Sequence, residues 1–116
     1  MDRKEVLEKE LKRILSVLTE GVPPQKVILF GSLAEDRIRK WSDIDLVVIQ
    51  ETDAPFLERI RRLLLRIRPR VGIDLLVYTP EEFEKLCEAS PFFREEVLKK
   101  GRVIYERSSE LAQVRR

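Results

Sequence analysis

The sequence predicts an α/β (α+β) protein: a small mixed β-sheet of three to four strands flanked by helices. Three observations predict it. Short apolar runs at Val27–Phe30, Leu46–Ile49 and Ile73–Tyr78 have the length and side chains of buried strands. Stretches with helical apolar spacing alternate with them, which is the order of a sheet with helices packed on it. The apolar fraction is 43% with no low-complexity segment, as a folded core requires. A chain of 116 residues is one ordinary domain and buries roughly two thirds of its unfolded surface. We read 1–116 as a single domain: an N-terminal helix at about 2–20, a core at about 22–85, and C-terminal helices with an edge strand at 80–106.

The elements follow in order. Val6, Leu7, Leu11, Ile14, Leu15 and Leu18 recur at helical spacing among Lys, Arg and Glu, predicting a helix over 2–20. Asp2 can cap its start and Gly21 its end, and Pro23-Pro24 forbids continuation. Val27–Phe30 is a strand broken by Gly31-Ser32. Residues 33–40 are read as a short polar helix, and Trp41-Ser42 turns the chain into a strand over about 44–50. Thr52-Asp53-Ala54-Pro55 signals a helix start, with Thr52 or Asp53 as cap; Pro69 ends that helix. Val71–Tyr78 is the third strand. Thr79-Pro80-Glu81-Glu82 has the Thr cap, first-turn Pro and Glu of a capping box, opening another helix. Ser90-Pro91 begins a helix over 91–100, ended by Gly101. Arg102–Glu106 alternates as an edge strand would, and 107–116 is polar and expected to fray.

Composition excludes several functions. The net charge of +2 gives no bulk attraction to nucleic acid. There is no His, so His-based acid–base chemistry and His-ligated zinc are excluded. Cys87 has no partner for an internal disulfide, which fits a reducing cytoplasm; it reads as a small core or boundary residue. The charged N-terminus lacks an apolar signal core, and no apolar run approaches the ~20 residues of a membrane helix. A cytoplasmic protein is expected. Asn is absent while Arg, Lys and Glu abound, a balance that high temperature favours.

The chemistry centres on Gly31 to Asp45, GSLAEDRIRKWSDID. Asp43 and Asp45 are two apart at a strand start, and the strand period of two puts both on one face. Carboxylates so close repel unless a cation lies between them, and hard oxygen donors suit Mg²⁺ or Mn²⁺. Asp74 interrupts an apolar strand, where a carboxylate without a partner is costly. If the third strand lies beside the second, three Asp residues make a two-metal site, and Asp74 is also a candidate general base. The alternatives are turn chemistry for Asp43 and Asp45 and a structural Arg partner for Asp74. Gly31 allows close backbone approach to a ligand, and Ser32 stands where a helix start favours a phosphate, or is merely its cap.

Gly31-Ser32, ten residues, Asp43-x-Asp45, then Asp74 in an apolar strand resembles the signature of the DNA polymerase β-like nucleotidyltransferase superfamily. With the small size and the run Ile73–Phe83, the chain looks like the minimal nucleotidyltransferases, antitoxin partners of HEPN-domain toxins. The likeness spans about 22–85, which it makes the catalytic core of a nucleotidyltransferase fold. It implies that Gly31 and Ser32 contact nucleotide phosphates and that Asp43, Asp45 and Asp74 hold Mg²⁺ and act in catalysis. The implied reaction transfers AMP from ATP to a hydroxyl, a tyrosine of a HEPN ribonuclease toxin, and releases pyrophosphate. Partners are then the toxin and ATP, with homo- or hetero-oligomers allowed and neither membrane nor direct nucleic acid expected. Many members carry Arg directly after Gly-Ser; here Leu33 follows, then Glu35-Asp36, with Arg37, Arg39 or Lys40 as possible compensation. That departure motivates an alternative, a catalytically weak antitoxin that neutralises by binding.

Two features stand outside the motif. Arg59, Arg62 and Arg66 are expected opposite the apolar face of their helix, as a solvated face or a contact surface, with Leu65 beside them. Trp41 is expected to pack under its loop, with base stacking as the alternative.

Overall fold

The computed structural model describes residues 1–107. The order of elements is the expected one: α1 (Arg3–Leu18), β1 (Lys26–Phe30), α2 (Gly31–Ala34), β2 (Ile44–Ile49), α3 (Phe56–Ile67), β3 (Ile73–Tyr78), α4 (Pro80–Ala89), a π-helical segment Phe93–Lys99, and β4 (Arg102–Glu106). The tail expected to fray, 108–116, lies outside the described residues. Among the described residues no helix is long and apolar enough to cross a membrane.

The four strands form one mixed sheet in the order β3-β2-β1-β4. β1 runs antiparallel to β2 and β4, while β2 and β3 are parallel and joined by the crossover helix α3. One face carries Val27, Leu29, Ile44, Leu46, Val48, Leu75 and Val77, covered by Leu7, Ile14 and Leu18 of α1 and Leu63 and Ile67 of α3. Full burial of each such side chain contributes about 1.5–3 kcal/mol, so this layer dominates the fold's stability. The opposite face carries Ile28, Phe30, Val47 and Ile49, covered by Phe83 of α4 and Val97 of the π-helix. That cover reaches only part of the face. The remainder is where Asp45 and Asp74 emerge.

Local signals explain most boundaries. Asp2 caps α1 through a capping box, its Oδ1 accepting from Glu5 N at 2.9 Å. Thr79 does the same for α4, its Oγ1 accepting from Glu82 N at 3.2 Å. The end of α3 is closed from α1: Arg13 donates to the carbonyls of Ile67 and Arg68 at 2.9 and 3.1 Å, and Glu10 accepts from Arg70 N at 2.6 Å.

Four expectations need correction. The helix expected over 33–40 is one turn starting at Gly31, because Asp36 takes a left-handed φ of 56° and the chain leaves the helix there. Neither Thr52 nor Asp53 caps α3; Pro55 stands at the cap, and Thr52 Oγ1 accepts instead from Ala54 N at 3.1 Å. The helix expected over 91–100 is mostly π-helical, which leaves Phe92 and Leu98 half exposed. Arg59 is not on a solvated face. It is 8% exposed, donating to the carbonyls of Ala54 and Val77 at 2.8 and 3.2 Å and to both Glu82 oxygens at 2.6 and 3.1 Å.

This network ties the start of α3 to β3 and α4. Arg59→Ala strands the buried Val77 carbonyl, the part-buried Ala54 carbonyl and one carboxylate, and should cost about 2–3 kcal/mol, since Glu82 is partly solvated. Arg62→Ala, whose guanidinium only meets Glu58 in water, should cost under about 1 kcal/mol. Urea melts of the two variants check the contrast.

Candidate active site

β2 and β3 lie parallel with Asp45 opposite Asp74, Val47 opposite Leu76 and Ile49 opposite Tyr78. Partners in register share a face, so the two aspartates are side by side. Asp43 precedes β2 by one residue and falls on the same side as Asp45 by the period of two. β1 completes the arrangement: Phe30 pairs with Asp45 across the sheet, and the chain turns at Gly31 immediately afterwards. Strand pairing thus gathers Asp43, Asp45, Asp74, Gly31 and Ser32 at one end of one face.

The burial differs from the expectation in one respect. Asp74 is exposed, because β3 is an edge strand. The costly group is Asp45, half-buried on a central strand. Burial, contact with Asp74 and the nearby charge of Asp43 push its carboxyl up to about 7.

Backbone presses on these side chains from two sides. Gly31 has φ +76°, and a Cβ placed there would run into the Asp45 carboxylate, 2.9 Å from its Cγ. Gly72, at the entrance to β3, does the same for Asp43: a Cβ would stand 2.6 Å from its Cγ. Its carbonyl accepts from Ile44 N at 3.1 Å, locking the start of β2 against β3. Sequence reasoning missed Gly72 as a residue that shapes the site. A Gly directly before Ile73-Asp74 was the available signal.

The loop between Ser32 and Asp43 is held locally. Ser42 is buried, its Oγ accepting from Arg39 N at 2.7 Å. Glu35 pairs with Arg37 and Asp36 with Lys4, each at 3.1 Å, so both acidic residues after Gly-Ser have cationic partners. Trp41 is 72% exposed, which overturns its packing role. A cavity of about 620 Å³, lined by Ile49, Phe83, Cys87 and Leu98 among others, lies at the far end of the sheet face and touches none of the three aspartates.

The donor set fits a hard divalent cation: only carboxylate oxygens, crowded enough that the Asp45 carboxyl is pushed up to about 7. Among the described residues no three acidic or thiol side chains close tightly enough to cage an ion unaided. The cluster suits Mg²⁺, which takes one or two carboxylates and completes its shell with water and phosphate oxygens.

Comparison with known proteins agrees with the fold. The family model described as polymerase beta, nucleotidyltransferase matches residues 10–110. A Methanocaldococcus jannaschii chain assigned, by inference, as a protein adenylyltransferase is 33% identical over 101 residues, 84% of this chain and 97% of that one. MntA of Haemophilus influenzae, similarly assigned, is 35% identical over 57 residues, about half of each chain. A crystal structure from Sulfolobus solfataricus, described as a nucleotidyltransferase, has a TM-score of 0.64 at 20% identity, covering 90% of this chain and 85% of that one. A toxin–antitoxin crystal structure with AMP-PNP has a TM-score of 0.56 at 21% identity, covering 85% and 75%.

Proposed function

The chain belongs to the polymerase β nucleotidyltransferase family, and from that premise we propose that it is a minimal nucleotidyltransferase antitoxin that transfers AMP from ATP to a hydroxyl of a HEPN-domain toxin. The observation that carries the reading is the register of β2 and β3, with Asp45 beside Asp74 and Asp43 two residues upstream at an uncovered end of the sheet. The protein acceptor is supported by the relatives' names, which speak of protein adenylyltransferases, and the toxin by a structural neighbour that is a toxin–antitoxin complex.

In this reading Asp43, Asp45 and Asp74 would hold Mg²⁺, which when bound would neutralise phosphate charge and polarise the reacting oxygens. Gly31 leaves room for the nucleotide beside Asp45, and the backbone at Gly31-Ser32 meets its phosphates. The acceptor oxygen, a tyrosine hydroxyl, bonds to the α-phosphorus as the bond to the bridging oxygen breaks and pyrophosphate leaves. Asp74, exposed at the sheet edge where a large acceptor can reach it, takes the hydroxyl proton. The ion pairs of Glu35 and Asp36 reduce the repulsion that these residues would otherwise exert on a triphosphate.

The test is the intact mass of a co-expressed HEPN partner. We expect a gain in AMP-sized steps with the wild-type chain and none with Asp43→Asn. A stable complex with unmodified partner would replace this reading by neutralisation through binding alone.

A further inference from the structure

The first turn of α1 carries two cations toward the loop that presents Asp43. Arg3 Nε and Nη2 both donate to the Ser42 carbonyl, at 3.0 and 2.8 Å. The same Nη2 lies 3.8 Å from Asp43 Oδ1. Lys4 Nζ meets Asp36 at 3.1 Å, at the other end of the loop. The position of this turn is not arbitrary, because the Asp2 capping box sets where α1 begins.

Asp43 is therefore met by two other segments of the chain. The Gly72 backbone stands against one side of its carboxylate, with no space for a Cβ. Near the same carboxylate is a guanidinium whose fork is already committed to the preceding carbonyl. Neither contact is needed to bury apolar surface: the Arg3 side chain is 30% and the Asp43 side chain 47% exposed. An exposed ion pair at 3.8 Å contributes little stability, about 0–1 kcal/mol. A two-point hold on a carbonyl one residue from a metal-binding carboxylate has a different use, which is to fix that carboxylate's direction.

We propose that Arg3 is a positioning residue for Asp43: its fork on the Ser42 carbonyl and its contact with the carboxylate hold Asp43 ready for a divalent cation. The inference rests on the proposed function only in taking Asp43 as a ligand of that cation. It also brings a basic group to the site from the N-terminal helix.

Electrostatics and positioning predict opposite signs, which makes the inference testable without any turnover. If Arg3 were merely a nearby positive charge, removing it would tighten cation binding at Asp43. If it positions the carboxylate, removing it loosens binding, by about tenfold or more, as loss of supporting contacts around a metal ligand commonly does. Mn²⁺ alone is titrated into the wild-type chain, Arg3→Ala and Arg3→Lys, with free Mn²⁺ read by electron paramagnetic resonance and folding by circular dichroism. We expect both variants to keep the wild-type fold and to bind Mn²⁺ about tenfold or more weakly, because an ammonium cannot reproduce the fork on Ser42. Equal or tighter binding in Arg3→Ala overturns the proposal, and so does wild-type binding in Arg3→Lys. A loss of binding that tracks loss of helical signal overturns it as well. If wild-type protein and Asp43→Asn bind Mn²⁺ alike, the fault lies instead with the assignment of Asp43 to the metal.

Discussion

Asp45→Asn is expected to cost about 10³-fold or more in adenylyl transfer and, in the same molecule, to raise the melting temperature of the metal-free protein at pH 8. The first effect follows from removing a cation ligand whose help in the transition state is worth several kcal/mol, at about 1.4 kcal/mol per factor of ten. The second follows from burial. The folded carboxyl titrates near 7, against 3.8 for the ordinary group, because burial, Asp74 and Asp43 oppose its charge. A carboxyl raised on folding contributes stability that is fully present below the unfolded value and is lost as pH rises through the folded one. Metal-free wild type should therefore melt progressively lower between about pH 4 and pH 8. Asn cannot ionise, so the variant lacks that slope and overtakes wild type at the alkaline end. Saturating Mg²⁺ should raise the wild-type melting temperature and leave the variant's nearly unchanged. Thermal melts across this range, with chelator or Mg²⁺, check all three points. A variant with the wild-type slope would mean that another group carries the titration.

Gly31→Ala should damage both stability and activity, whereas Gly21→Ala should touch stability alone. Both glycines have positive φ, +76° and +68°, so each substitution forces alanine into a left-handed conformation at about 1–2 kcal/mol. At Gly21 nothing lies within 4 Å of the added Cβ, and the cost ends there. At Gly31 the Cβ enters the Asp45 carboxylate. Asp45 cannot simply swing away, since it sits on central strand β2 between Phe30 and Asp74. The total should reach about 3 kcal/mol or more, with transfer reduced at least about 10²-fold by misplacement of the carboxylate. Gly72→Ala should resemble Gly31→Ala in activity, through Asp43, and be milder in stability because its φ needs no glycine. Chemical melts and transfer assays on the three variants separate conformational strain from steric contact with the site. Equal activities would show that neither glycine shapes the cluster.

Much of the site was legible because its signals are local. Gly31-Ser32 follows an apolar run, Asp43 and Asp45 share a face by strand period alone, and Thr79-Pro80-Glu81-Glu82 announces a helix start from four residues. These depend on backbone geometry over a few positions, which the sequence carries directly. Asp74 was legible as an anomaly, a carboxyl in an apolar run, but the reason assigned to it belonged elsewhere. Its strand lies at the sheet edge, and the burial that makes a carboxyl costly falls on Asp45.

What the sequence alone determined about this protein is therefore the alternation of helices and strands, the Gly31–Asp45 stretch and the face that Asp43 and Asp45 share. Only the tertiary structure decided which strand is central, and hence which aspartate is hard to ionise. It also decided that Arg59 turns inward to Glu82, that Gly72 abuts Asp43, and that Arg3 reaches Ser42 across 39 residues of chain. The physical reason is the same in each case. Periodicity assigns a side chain to a face, but charge, burial and contact depend on what another segment brings to that face.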